Sequence, residues 1–450
     1  MGTYLLHKAT IVTGEKEAVG SIIVHEGKIA DIYYADSEDF DYKVFKAGTA
    51  YPGIERVELE GKWLMAGGID AHVHFREPGL THKADIYTES RAAAAGGVTT
   101  VMDMPNTKPA TISAETLMSK TELAKDRSCI NIGFHIGATN SNADEIIDML
   151  EGRTELSSDA VKGVKVFMGS STGNMLVDEG SALDRLFSIK SRPVLVHCED
   201  EQTIRENLQK AIEKYGDDIP FSEHENIRSR RACIKSSIKA LEKAIANGTR
   251  LVLCHISTKE EVEMARAAKC NNPGVVAETS CNYLWFSSED YDRMGSRLKC
   301  NPAVKGPSDR AALREALANG GIDTIGSDHA PHLLSEKEGP YTQVPSGLPS
   351  IQQSLPVLVT IAEAEEIPLT RIAQVFSENA SVLYGLNTGK IEKGYAADIV
   401  VFDRNKEFVV RNEDQYSKCG WSPYEGVTLK GEPELVMVNG KTIYKDRKFI

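Results

Sequence analysis

From about residue 68 to about residue 328 the chain alternates short apolar runs with stretches whose apolar residues recur every three or four positions. The apolar runs, read as strands, end near Asp70–His74, Thr100–Pro105, Asn131–His135, Gly163–Phe167, Val194–His197, Leu251–His255, Val275–Thr279 and Thr324–Asp328. Between them lie helical patterns such as Ala114–Lys125, Ala143–Leu150, Arg231–Ala246, Glu260–Lys269 and Arg310–Ala318. Strand–helix units in this number predict a (β/α)8 barrel, a TIM-like α/β fold. An open doubly wound sheet is the alternative, but no Gly-x-Gly-x-x-Gly turn opens a first helix. In a barrel, the C-terminal strand ends carry the chemistry. Polar residues recur there: His72 and His74 on the first strand, Asn106 after the second, Lys165 on the fourth, His197 on the fifth, His255 on the sixth and Asp328 on the eighth. One such residue means little, whereas the same placement on strand after strand describes a site.

The two ends of the chain read differently. Tyr4–Val12, Gly20–Val24 and Lys28–Tyr33 are strand-like, with a turn at His25-Glu26-Gly27. So are 397–402 and Leu435–Val438, the latter followed by an Asn439-Gly440 hairpin signal and Lys441–Tyr444. The ends can pair into one small β domain, which sets expected boundaries of 1–62 and 386–450 for that domain and 63–385 for the barrel. The stretch 200–229 carries little pattern.

Composition narrows the function classes. The chain has 450 residues and a net charge of −13, which argues against nucleic acid as a partner. No apolar run reaches the ~20 residues of a membrane span. The start of the chain lacks a signal-peptide pattern, so a cytoplasmic protein is expected. The eight cysteines are scattered without CxxC spacing and read as buried thiols in a reducing compartment.

Asp70-Ala71-His72-Val73-His74-Phe75-Arg76 is the strongest local signal. Strand residues two apart share a face, so His72 and His74 can reach one metal ion. The alternative is two solvent-facing histidines. His197 and His255 each end an apolar run, where an imidazole needs a partner: a metal, or a hydrogen bond within the core. Strand alternation puts the adjacent Cys198 and Cys254 on the opposite face. Asp328 could bind metal and move a proton, or merely cap a turn. Lys165 lies in an apolar strand, where an ammonium is costly unless paired; its alternative is a buried ion pair.

These motifs together resemble the amidohydrolase superfamily, and within it the dihydroorotases. The resemblance runs through Gly68–Gly79, Gly96–Thr100, Met104–Thr107, Val196–Glu199, Cys254–Ser257 and Ser327–His332, and into the tail at Gly389–Ile391, Gly394–Asp398 and Trp421–Gly426. It implies a barrel with a small β-sandwich domain. It implies two zinc ions, one held by His72, His74 and Asp328 and the other by His197 and His255, bridged by a carboxylated Lys165. It implies reversible hydrolysis of the cyclic amide of (S)-dihydroorotate to N-carbamoyl-L-aspartate in pyrimidine biosynthesis. The resemblance also implies that water activated by the metals would attack and that Asp328 would shuttle its proton to the leaving nitrogen.

Specificity would rest on Arg76 and Asn106 reading a ring carboxylate, since guanidinium donors match carboxylate oxygens. The alternative for Arg76 is a surface ion pair with Glu77 or Asp85. The resemblance adds His332 as a substrate contact, Asn301 and Gly347 as further candidates, and a closing loop with Ser171 and Thr172. Where many relatives carry Pro-His-His after Glu278, this chain reads Thr279-Ser280-Cys281-Asn282-Tyr283. The competing readings are a hydantoinase, dihydropyrimidinase or allantoinase, and a non-catalytic scaffold. A homodimer is the family expectation. A transcarbamoylase partner stays open.

Overall fold

The computed structural model describes residues 2–169 and 175–450. The first strands are β1 (Tyr4–Val12), β2 (Glu17–His25), β3 (Lys28–Tyr34), β4 (Glu55–Glu58) and β5 (Trp63–Ala66). Eight parallel strands follow: β6 (Gly68–Val73), β7 (Val98–Asp103), β8 (Asn131–Gly137), β9 (Val161–Phe167), β10 (Val194–His197), β11 (Leu251–Leu253), β12 (Val275–Thr279) and β13 (Thr324–Ile325). They lie side by side in chain order. Registers such as Thr100↔Asn131, Lys165↔Leu195, Val196↔Leu253 and Thr279↔Ile325 carry the ladder around. A parallel bridge between Val73 and His329 brings the last strand back to the first, with His74 N–H donating to His329 O at 2.8 Å. The predicted barrel is the observed one.

Period-two alternation assigns each strand residue to a layer. Val194, Val196, Leu251 and Leu253 join the large core beneath the helices, whereas Leu195, Val252, Cys254 and Met104 form a separate cluster within the barrel. Helices start at side-chain caps: Asp85 accepts from Thr88 N–H, Ser113 from Thr116 N–H and Thr258 from Glu261 N–H. Such caps satisfy backbone donors that would otherwise be orphaned, each contributing about 1 kcal/mol. The weakly patterned stretch contains a helix, Glu201–Tyr215, that buries only Ile204 and Ala211. So thin an apolar stripe leaves little periodicity to read.

The remaining strands of the second layer are β14 (Ile399–Phe402), β17 (Pro433–Val438), β18 (Lys441–Lys445) and β19 (Lys448–Phe449), with β15 (Glu407–Val409) and β16 (Thr428–Lys430) forming a separate ribbon. Their sheet runs β19-β18-β17-β14-β5-β1-β2-β3, with β4 beside β1, so strands from both ends of the chain do pair. Alternation recurs: Val400 and Phe402 pack with the barrel core, Ile399 and Val401 with Leu64, Leu435 and Met437. A helix at Phe40–Thr49, absent from the strand reading of this segment, covers Leu5 and Ile23 through Phe40 and Val44. The Asn439-Gly440 hairpin is present, with φ of 48° and 71°. Glycine is required there, because an added Cβ would lie 2.7 Å from the Cα of Gly27 in the facing turn. Asp398 ties the two layers together by accepting from Asn439 N–H at 2.6 Å and from Asn131 Nδ2 at 2.7 Å. Among the described residues, no helix is long and apolar enough to cross a membrane.

Candidate metal and substrate site

At the C-terminal end of the barrel, one cleft is lined by His72, His74, Lys165, His197, His255 and Asp328, and also by Arg76, Asn106, Asn301 and Gly347. His332 borders it through Arg76. The structure therefore gathers every described residue singled out from the sequence. Ser171 and Thr172 lie outside the described residues.

Local backbone geometry aims several of these groups. Arg76, His255 and Asp328 all have left-handed φ, at 65°, 40° and 49°. Such conformations cost about 1–3 kcal/mol for a non-glycine residue and persist only where the surroundings enforce them. At His255 the consequence is a correction to simple alternation. Strand β11 stops at Leu253, Cys254 keeps the inward face, and the left-handed turn swings His255 inward as well. Cys254 is therefore not on the opposite face. Its Sγ lies 3.3 Å from Lys165 Nζ. Cys198 does belong to the outer core.

Two donor sets emerge. His72 Nε2 and His74 Nε2 lie 3.6 and 3.1 Å from Asp328 Oδ1. Glu278 Oε1 accepts from His72 Nδ1 at 2.7 Å, and Asn106 Oδ1 accepts from His74 Nδ1 at 2.8 Å. Both imidazoles thus carry their proton on Nδ1 and turn Nε2 lone pairs toward a carboxylate. Three acceptors converge with no donor between them, an arrangement that a cation relieves. In the second set, His197 Nδ1 and His255 Nε2 face each other at 3.0 Å. His197 is backed by Glu199, whose Oε2 lies 2.9 Å from Nε2, off the line of a good hydrogen bond, and also pairs with Arg228. Burial holds His72, His197 and His255 below their ordinary pKa, so they are neutral and available as ligands. Burial raises Glu199, but Arg228 and His197 outweigh it and hold the carboxyl at about 2. Burial pushes Glu278 up to about 7. The first of these sets, His72 with His74 and Asp328, is placed to hold a divalent metal ion.

Glu278 and Glu199 were visible in sequence beside quoted motifs, but nothing in spacing gave them a task. Glu278 reaches His72 because Gly326 lies between them: an added Cβ would sit 2.7 Å from Glu278 Cδ and from His72 Cβ.

Arg76 brings a cation to the same cleft. Arg76 is buried, donates from Nε to Pro331 O at 3.1 Å, and forms no ion pair among the described residues. Its surface-pair alternatives are otherwise engaged. Glu77 holds Arg127 and Ile86 N–H, while Asp85 caps a helix and meets Lys418. Burial lowers Arg76 only to about 10, so it remains a cation. Asn301 Oδ1 is buried without a hydrogen-bond partner among the described residues. Gly347 approaches His332 closely, as an added Cβ would lie 3.0 Å from its ring. The departing segment points elsewhere: Asn282 accepts from Tyr424 OH at 3.0 Å and Tyr283 OH donates to Pro302 O at 2.7 Å, so it anchors the tail and the loop bearing Asn301.

Residues 63–443 match the Amidohydrolase family. A dihydroorotase of Methanosarcina mazei is 33% identical over 437 residues, covering 94% of this chain and 90% of the relative. A dihydroorotase of Staphylococcus epidermidis is 31% identical, covering 90% and 92%. Among solved structures, the L-hydantoinase (dihydropyrimidinase) of Arthrobacter aurescens superposes with a TM-score of 0.90 at 25% identity, over 100% of this chain and 98% of that one. The dihydropyrimidinase of Brevibacillus agri gives 0.87 at 23% identity, over 100% and 96%. With the family model spanning most of the chain and curated relatives covering nearly all of it, this protein belongs to the amidohydrolase family.

Proposed function

We propose that this chain is a dihydroorotase, hydrolysing the cyclic amide of (S)-dihydroorotate to N-carbamoyl-L-aspartate and catalysing the reverse closure. The observation that carries the reading is Arg76, a buried guanidinium that forms no ion pair among the described residues, on the wall of a metal-competent cleft. Burying such a charge is costly, and a site retains it when an anion completes the pair. A ring carboxylate does so. Hydantoin and dihydrouracil have none.

His72, His74 and Asp328 would hold one zinc, and His197 with His255 a second. Lys165, buried beside both sets with a thiol as its described hydrogen-bond partner, suits conversion to a carbamate. That modification replaces an awkward buried cation with an anion able to join the two sites. When bound, the two dications supply Lewis acidity that brings the acidity of water toward neutral pH and polarises the amide carbonyl. Glu278 and Asn106 fix the orientations of His72 and His74. Asp328 takes the proton of the attacking water and delivers it to the ring nitrogen as the C–N bond breaks. Arg76 and His332 hold the carboxylate, and Asn301 Oδ1, without a hydrogen-bond partner among the described residues, accepts a ring N–H.

The test is turnover of dihydroorotate against dihydrouracil and hydantoin by the zinc-loaded protein. A preference of at least about 100-fold in kcat/KM for dihydroorotate is expected, the worth of roughly 3 kcal/mol of charge-assisted hydrogen bonding. Preference for dihydrouracil or hydantoin would return the chain to the neighbouring cyclic amidases. No turnover of any of them would make it a scaffold.

A further inference from the structure

Lys83 has no place in the mechanism above, yet it is buried at the edge of the site with its ammonium 3.1 Å from His332 Nδ1. An ammonium has only donors, so Nδ1 must present its lone pair. The other conceivable partner for a proton on Nδ1 is Glu336 Oε2, at 3.8 Å, beyond hydrogen-bond range. Glu336 is engaged in any case: Oε1 accepts from Lys83 at 2.7 Å and Oε2 from Leu333 N–H at 2.8 Å. The ring is neutral, being buried and flanked by Arg76 and Lys83. Its one proton is then on Nε2, which lies 3.1 Å from Ser346 O and 3.1 Å from Arg76 Nη2. Nε2–H donates to Ser346 O. Toward Arg76 it stands donor beside donor, a pairing that makes sense only if both face a common acceptor. A carboxylate, being charged, competes well with the neutral carbonyl of Ser346 for that N–H.

We propose that Lys83 is a positioning residue for substrate selection: by donating to His332 Nδ1 it fixes the Nε2–H tautomer, so that His332 and Arg76 present two converging donors to one carboxylate. Glu336 holds Lys83 in place, and Trp421 Nε1–H, donating to His332 O at 2.8 Å, holds the backbone of the imidazole. The inference rests on the reading of the substrate given above, but its first test does not.

That test is long-range 1H–15N correlation on zinc-loaded, 15N-histidine-labelled protein, with His332 assigned from a His332→Gln variant. An unprotonated Nδ1 and protonated Nε2 are expected. A protonated Nδ1 would overturn the proposal whatever the substrate proves to be. The second test is Lys83→Met. Its KM for dihydroorotate should rise about tenfold or more, with kcat changed less than about threefold. Its kcat/KM for dihydrouracil, metal content and thermal midpoint should hold, and the Nδ1 signal should shift toward a mixture of tautomers. An unchanged KM, or equal losses on both substrates, would reduce Lys83 to a structural residue. If wild-type protein fails to turn over dihydroorotate, the substrate reading falls and the tautomer spectrum alone decides the role of Lys83.

Discussion

Replacing Arg76 with methionine removes the guanidinium while keeping a long, flexible stem. Two charge-assisted hydrogen bonds to a carboxylate are lost, each worth about 1.5–3 kcal/mol. Taking the lower figure for both gives about 3 kcal/mol, or roughly 150-fold in kcat/KM at 1.36 kcal/mol per decade. The loss should fall on dihydroorotate and spare dihydrouracil, which has no carboxylate to lose. Stability should change little, because two effects oppose each other. Pro331 O forfeits its donor, but the site sheds a buried charge. The left-handed φ of 65° strains methionine as it strains arginine. Metal content should hold, since the His74 ring is oriented by Asn106, which accepts from Nδ1, rather than by Arg76. The assay is steady-state kinetics on both substrates, with metal analysis and thermal melts of the same preparations. A loss of less than about fivefold on dihydroorotate, or equal losses on both substrates, would refute the assignment of Arg76 to the carboxylate.

Other parts of the structure make independent predictions. Asp328→Asn should abolish measurable hydrolysis while the fold persists, as judged by melting and circular dichroism, since amide nitrogen cannot take the proton; near-normal turnover would remove Asp328 from the shuttle. Glu278→Ala should weaken metal binding by about 10–100-fold in a chelator competition, because His72 Nδ1 loses its acceptor; unchanged affinity would show that Glu278 does not orient the ligand. Gly440→Ala should destabilise the protein by at least about 1–2 kcal/mol in urea titration, from the left-handed φ of 71° and the approach to Gly27, with kcat unchanged; an unaltered midpoint would contradict that turn geometry.

Much of the barrel was legible because parallel strands covered on both faces need continuous apolar runs, and the helices between them need one apolar stripe each. Ala143–Leu150, Val194–His197 and Val275–Thr279 fall where the pattern put them. The thinly buried helices Phe40–Thr49 and Glu201–Tyr215 escaped for the opposite reason, since a helix that buries two residues leaves no stripe.

By itself, the sequence determined which side chains could do chemistry and that they end successive strands, so their convergence on one barrel mouth followed. Only the tertiary structure decided how they are aimed. The inward swing of His255, beside a Cys254 that already faces inward, depends on a left-handed backbone turn that alternation does not foresee. The tautomers of His72 and His74 depend on Glu278 and Asn106, distant in sequence. The orientation of His332 depends on a lysine 249 positions away. A strand pattern records which face a residue takes. Which nitrogen carries its proton is set by whatever donor or acceptor the fold brings against it, and that partner is chosen by long-range packing.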